Sequence, residues 1–381
     1  MELREPFETS FGIERYRNFL LVEAVDRTGL SGWGECVAAG DPLYSEEAVA
    51  TARWMIGERL VPLLGSPAGT TILRYRTLAE RFRGHRMAKA AVESALLDLA
   101  ARRARLPLHR LLGNARRGRV PVGVSVGIQA SPAALVDTVG RYLEQGYRRI
   151  KLKVDPGRDS AYVAAVRRTY PDVELWVDAN QAYSPRALPQ IRRWAERYDV
   201  AQVEQPFAER AIAAHAALQR GARFRVCLDE SVTGRVSLED ALERRALKSL
   251  NVKAGRVGGA LAGVALARRA RRAGVSAWVG GMLESGIGRA HNLHLASLGA
   301  FDLSADLSAS TRYYVRDLIE QPFQLNSDST IDVPSGPGSG VSLDDRVHRR
   351  ALRRRQRFAL RATAAAAPPR RYSAGGGFSR R

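Results

Sequence analysis

Arg149-Ile150-Lys151-Leu152-Lys153-Val154 is the stretch on which the reading of this chain turns. It is a short β-rich run, and the two-residue period of a strand sends Lys151 and Lys153 to the same face. Only five of the sixty basic residues are lysine, and three of those five are Lys151, Lys153 and Lys253. Arginine serves almost every ion-pairing purpose here, yet it cannot release a proton near neutrality, so a retained lysine is a candidate acid or base. Between the lysines, carboxylates end short apolar runs at Asp178, Glu204 and Asp229. From Lys153 the steps to Asp178, Glu204, Asp229 and Lys253 are 25, 26, 25 and 24 residues. One strand-and-helix unit of a barrel takes about 25 to 30 residues, so five successive strands each offer one polar residue at the same end.

The same alternation extends on both sides. Val120–Val126, Arg149–Val154, Glu174–Val177, Ala201–Val203, Arg225–Leu228, Leu250–Val252 and Ala277–Val279 are β-rich runs separated by Ala- and Arg-rich helical segments. Ser131-Pro132 and Ser184-Pro185 pair a cap residue with proline at the first helical position. Strand alternating with helix seven times predicts a parallel sheet closed into a barrel, with the chemistry at the strands' carboxyl ends. Ahead of it, residues 3–11, 18–25 and 32–38 read as an antiparallel sheet. Helices follow at about 45–62, 70–83 and 87–104, together an α+β domain.

Composition agrees with a cytosolic enzyme. The chain has 381 residues, 45% of them apolar, enough to bury a large core in two domains. Two cysteines, Cys36 and Cys227, suggest a reducing compartment and no disulfide framework. Nothing at the amino end reads as a signal peptide, and no apolar stretch reaches the roughly 20 residues of a membrane helix, so no membrane role is expected. The net charge of +21 is uneven: residues 346–381 carry twelve arginines and no acid, leaving +9 for residues 1–345. That tail reads as disordered beyond a short helix near 349–361. It could hold polyanions by counterion release, an alternative of a different class, against a solvated extension with no specific nucleic-acid role.

Three carboxylates at one rim would repel one another, whereas a hard divalent cation turns the same geometry into oxygen ligation, with magnesium the natural choice. Singly, each acid could be a helix cap or a surface pair; the equal spacing and flanking lysines favour the ion. Two lysines on opposite sides of a metal suit removal of a proton beside a carboxylate. The accepting lysine must be neutral, and a nearby cation would depress its pKa from about 10.4 toward 7 or 8. Lys89 and Lys248 lack this context and read as surface residues.

In these motifs the chain resembles the enolase superfamily, in the branch joining o-succinylbenzoate synthases to N-succinylamino acid racemases. The resemblance is carried by Lys151-Leu152-Lys153, Asp178-Ala179-Asn180, Glu204-Gln205-Pro206, Asp229-Glu230-Ser231 and Asn251-Val252-Lys253. It continues in Gly255-Arg256-Val257-Gly258-Gly259, Gly280-Gly281-Met282-Leu283-Glu284-Ser285-Gly286, Gly32-Trp33-Gly34-Glu35 and Ser335-Gly336-Pro337-Gly338. It spans residues 1 to about 345. It implies an α/β fold, a modified (β/α)7β TIM-type barrel over 116–310, with an α+β capping domain formed by 1–115 and completed by about 311–345. It further implies Asp178, Glu204 and Asp229 as ligands of Mg2+, with Mn2+ or another divalent metal possible. Lys153 and Lys253 would be the acid–base pair, with Lys151 an electrostatic aid. The implied substrate is a small-molecule carboxylate and the implied assembly a homo-oligomer. The implied reaction is dehydration of 2-succinyl-6-hydroxy-2,4-cyclohexadiene-1-carboxylate in menaquinone biosynthesis, or racemisation of N-succinylamino acids by the same lysines.

Three further positions stay open. Arg256, three residues after Lys253, either depresses that lysine's pKa or is a loop arginine facing solvent or a remote carboxylate of the substrate. Glu284 orients Lys253, or sits near the metal, or serves a helix amino terminus. Ser10 lies in Phe7–Gly12, which resembles the family's mobile specificity loop and also reads as a Gly-ended hairpin. His291 and His294, at helical spacing, read as structural rather than as zinc ligands, and the glycine runs form no dinucleotide fingerprint.

Overall fold

β-Rich alternation at the amino end produces two antiparallel ribbons in the computed structural model, which describes residues 1–65 and 71–360. β1 (Glu2–Thr9) turns through Ser10-Phe11 into β2 (Gly12–Tyr16), and β3 (Leu20–Val25) pairs with β4 (Ser31–Cys36). The expected run 3–11 therefore breaks at the turn. Helical segments follow at Val49–Leu64, its middle a π-helical turn, then at Ile72–Ala79 and Arg86–Arg103.

The last of these helices lies directly on β4. A Cβ at Gly32 would come within 2.2 Å of the Leu99 nitrogen, and one at Gly34 within 2.2 Å of the Ala91 carbonyl oxygen. Both glycines of the Gly-Trp-Gly-Glu motif thus permit backbone contact between strand and helix. From that helix, Asp98 accepts hydrogen bonds from Trp33 N at 2.8 Å and from Ser339 N at 2.5 Å. Gly338, at φ +71°, has no room for a side chain against Asp98, which accounts for the late Ser-Gly-Pro-Gly motif.

The predicted run 120–126 is two strands. β5 (Arg119–Pro121) pairs with β13 (Thr330–Asp332) outside the barrel, and β6 (Val124–Val126) enters it. Gly123 separates them, since a Cβ there would meet the Arg149 guanidinium at 2.2 Å. From β6 the sheet runs in parallel through β7 (Arg149–Lys153), β8 (Glu174–Asp178), β9 (Gln202–Glu204), β10 (Arg225–Leu228), β11 (Ser249–Val252) and β12 (Ser276–Val279). Segment 302–306 closes the ring. Asp306 N donates to Val279 O at 2.9 Å on one side, and Gly123 N donates to Ala305 O at 2.9 Å on the other.

Outward strand residues such as Ile150, Leu152, Val177, Val226 and Val252 are buried under the surrounding helices. Inside, alternate strands β8, β10 and β12 contribute Trp176, Cys227 and Trp278, a buried layer in which the two indoles stand 5.3 Å apart. This layer is the floor beneath the polar mouth.

Ser131 caps its helix as expected, accepting from Ala134 N at 3.2 Å with Pro132 next. Ser184 does not cap: Pro185–Ala187 form one 3-10 turn before the helix Leu188–Arg197 begins. Near the carboxyl end a helix spans Asp345–Ala351, capped by Asp344, earlier than the sequence suggests. Residues up to Phe358 lie against the amino-terminal elements, with Arg355 paired to Glu23 at 3.3 Å. The rest of the arginine-rich tail, 361–381, lies outside the described residues. Among the described residues no helix is long and apolar enough to cross a membrane.

Replacing Gly34 by alanine forces the helix off β4. Urea unfolding should show a loss of about 1 to 3 kcal/mol, the range for overpacked cores, whereas Gly221→Ala, in open space but at positive φ, should cost about 1 kcal/mol.

Candidate active site

The parallel register brings the predicted residues to one rim. Lys153 pairs in register with Asp178, and Asp178 with Glu204, while Asp229 and Lys253 directly follow the last residues of β10 and β11. All five side chains are buried or nearly so. Three strands separate Lys153 from Lys253, and the three acids stand on those intervening strands.

The side chains form a charge-compensated cluster. Lys153 Nζ lies 2.7 Å from Asp178 Oδ2 and donates to Asn180 Oδ1 at 2.5 Å. Lys151 Nζ is shared by Glu204 at 2.9 Å, Asp306 at 2.9 Å and Asp178 at 3.3 Å. Lys253 Nζ meets Asp229 Oδ2 at 2.7 Å and stands 4.6 Å from the centre of the Tyr44 ring, whose hydroxyl donates to Asp229 Oδ1 at 2.9 Å.

Electrostatics follow from this pairing. Burial alone would lower the amines of Lys151 and Lys253, but Asp306, Glu204 and Asp178 hold the first well above its ordinary pKa, and Asp229 and Tyr44 hold the second above. Burial pushes Asp178 and Asp229 up, yet Lys153 and Lys151 bring the first below the usual carboxylate range, and Lys253 and Arg256 the second. Glu204 is raised to about 7 by burial and by Asp178. Glu230 is raised to about 8 by burial and by Asp229.

Among the described residues, no three acidic, histidine or cysteine side chains are drawn tightly enough together to hold an ion as they stand, because the amines lie between the acids. The donor set nevertheless suits a hard dication: oxygen ligands from adjacent strands, buried. Among the described residues three oxygens of this mouth lack a hydrogen-bond partner: Glu230 Oε2, Asn251 Oδ1 and Asp229 Oδ2, the last in contact with the Lys253 ammonium.

Arg256 is neither exposed nor in a solvent-facing loop. Its guanidinium is buried, bonds Asp229 and the Asn251 carbonyl, and donates to Val232 O at 3.0 Å. Ser10 donates to the Asn180 carbonyl at 2.8 Å, so the β1–β2 turn reaches the mouth. Glu284 does not contact Lys253: it accepts from Met282 N at 2.8 Å and Asn292 Nδ2 at 2.9 Å. Beside it Glu35 accepts from Ser285 N and Gly288 N, each at 3.1 Å, and from the Ser285 hydroxyl. His291 and His294 bond the Trp33 and Ser339 carbonyls and join β4 and the 335–340 turn to the barrel. Lys248 is exposed as expected, but Lys89 is buried, its amine donating to Phe82 O at 2.5 Å.

Sequence reading missed Tyr44, Asn180, Glu230, Asn251 and Asp306. Asn180 and Glu230 follow predicted ligands by two residues and one; Tyr44 and Asp306 had no spacing signal. Asn180, Gln181, Gln205 and Leu283, all just beyond strand ends, hold positive φ, the left-handed backbone that clusters at functional sites.

Two family profiles match. The Mandelate racemase / muconate lactonizing enzyme, N-terminal domain, covers residues 1–113, and the Enolase C-terminal domain-like family covers 134–347. An o-succinylbenzoate synthase of Geobacillus kaustophilus is 42% identical over 94% of both chains. An N-succinylamino acid racemase of Amycolatopsis is 43% identical over 90% of this chain and 92% of that one. The crystal structure of an enolase superfamily member from Listeria innocua superposes with a TM-score of 0.87 at 35% identity, covering 92% of this chain and 94% of the other.

Burial and the neighbouring Glu284 raise the Glu35 carboxyl to about 7, while three donors oppose the rise. A group titrating higher in the folded protein than in the unfolded chain stabilises fully below the unfolded value and loses that contribution as pH climbs to the folded one. Stability from Glu35 should thus decline between about pH 4.3 and 7, by at most roughly 4 kcal/mol. Glu35→Gln should flatten this part of the profile in urea unfolding at pH 5 and pH 8.

Proposed function

Because the chain belongs to the enolase superfamily, in the branch of o-succinylbenzoate synthases and N-succinylamino acid racemases, we propose that it is an o-succinylbenzoate synthase. The reaction dehydrates 2-succinyl-6-hydroxy-2,4-cyclohexadiene-1-carboxylate to 2-succinylbenzoate for menaquinone biosynthesis. One observation carries the reading: two buried lysines flank three carboxylates on the intervening strands at one rim.

Asp178, Glu204 and Asp229 would hold the metal, for which we propose Mg2+ on the strength of an all-oxygen donor set. When bound, the dication supplies a Lewis acid for the substrate carboxylate and offsets the charge that appears as the α-proton leaves. Lys153 takes that proton as its free amine and, as the ammonium, delivers it to the departing hydroxyl, so both steps run from one face. Lys253 steadies the enediolate from the other face. Lys151, pinned by Asp306 and Glu204, adds fixed positive charge behind the carboxylates. Arg256 fixes Asp229 and so the approach of Lys253. Ser10 places the hairpin over the mouth, and Glu284 holds the Met282 amide beside it.

Racemisation of N-succinylamino acids is the second reading, favoured by lysines on both sides of the mouth, which would exchange acid and base roles. We also infer a cytoplasmic enzyme, supported by two buried free cysteines, and a homo-oligomer by analogy with the family.

Purified protein should dehydrate the cyclohexadiene acid, lose activity with a chelator and regain it with Mg2+. Lys153→Ala should lower turnover by about 10²- to 10⁴-fold. Parallel incubation with an N-succinylamino acid in heavy water measures α-hydrogen exchange; exchange at a comparable rate with no dehydration would make racemisation the main activity.

A further inference from the structure

At the opposite end of the barrel from the lysines lies a cavity of about 430 Å³, lined by Asn114, Arg268, Arg271, Arg272 and residues 298–300. Its position is set by Asp302, which accepts from Ala277 N at 2.9 Å and Ser276 Oγ at 3.1 Å, at the start of β12. It is therefore at the strands' amino ends, away from the reacting rim.

Arg268, Arg271 and Arg272 sit at i, i+3 and i+4 in the last turns of the helix Ala260–Arg272, so all three project to one side. The helix dipole welcomes cations in a last turn, but it does not explain why they converge on a concavity. Nor does it explain why a second segment brings more charge: the Arg116 stem lies 3.8 Å from the Cβ position of Gly299, and Arg117 Nη2 donates to Phe301 O at 2.8 Å. Burial, with Arg116 adding to it and Asp302 opposing it, lowers the Arg117 pKa. Asp302 is the acid here, and Arg271 takes it. Arg268 and Arg272 form no ion pair among the described residues.

We propose that this cavity binds a small oligo-anion of the diphosphate class. Guanidinium forks match phosphoryl oxygens two at a time, and several converging forks favour linked phosphoryl groups over a single one. The volume accommodates a free diphosphate or the diphosphate of a nucleotide. The site is separate from the chemistry, so occupancy does not compete with the carboxylate substrate.

Calorimetric titration of the full chain in 150 mM salt with orthophosphate, pyrophosphate and ADP tests the proposal against Arg268→Ala/Arg272→Ala. Pyrophosphate should bind at least tenfold more tightly than orthophosphate, and the double variant should lose at least tenfold in affinity while keeping its turnover. ADP tighter than pyrophosphate identifies a nucleotide site; the reverse order identifies a free diphosphate site. Equal binding by wild type and variant would assign the affinity to the carboxyl-terminal arginines and overturn the proposal, as would no measurable binding.

Discussion

Like charge held out of water governs this molecule. Asp178, Glu204, Asp229, Glu230 and Asp306 crowd one barrel mouth, all of them buried or nearly so. Removing carboxylates from water costs several kcal/mol each unless cations or hydrogen bonds answer them. Here Arg149, Lys151, Lys153, Lys253 and Arg256 answer Asp178, Glu204, Asp229 and Asp306, and every one comes from β7, or from the end of β11 and the turn beyond it, while Glu230 takes a hydrogen bond from Asn180. Strands bearing cations thus bracket strands bearing acids. The order of the barrel is at once the order of the charges, and it places proton-carrying groups where a carboxylate substrate would need them.

The amino-terminal elements answer the same constraint from outside. Tyr44 gives its hydroxyl to Asp229, and Glu35 reaches across to the amides that begin the helix Gly286–Ala296. Close contact makes this possible: glycines at 32 and 34 bring β4 onto the helix that carries Asp98, and Asp98 in turn holds the 335–340 turn. Residues 35–44 and the 335–340 turn are therefore fastened to the barrel by buried polar bonds, each of which would be expensive to leave half made.

Much of this was legible because a barrel repeats. Equal spacing between Lys153 and Lys253 is a one-dimensional trace of strands standing side by side, so it reported the fold and the gathering of these five side chains at one rim together. Asp306 escaped because it closes the ring on an irregular segment without a β-rich run. Tyr44 escaped because it arrives from a loop, with no period to betray it. Lys89 misled for the opposite reason: it stands outside the spaced set and so read as a surface residue, but the amine turns inward to a carbonyl just past the end of the preceding helix. The Ser184 motif carried the right residues, yet a 3-10 turn intervened before the helix. Arg256 shows that a residue type can be noticed and its surroundings misjudged, since burial against Asp229 depends on a fold-back invisible in spacing.

The indole floor beneath the charged mouth has a kinetic meaning. With Trp176, Cys227 and Trp278 filling the bore, the barrel is a cul-de-sac. Whatever enters the mouth and whatever leaves it share one doorway, so each cycle must empty through the opening by which it began.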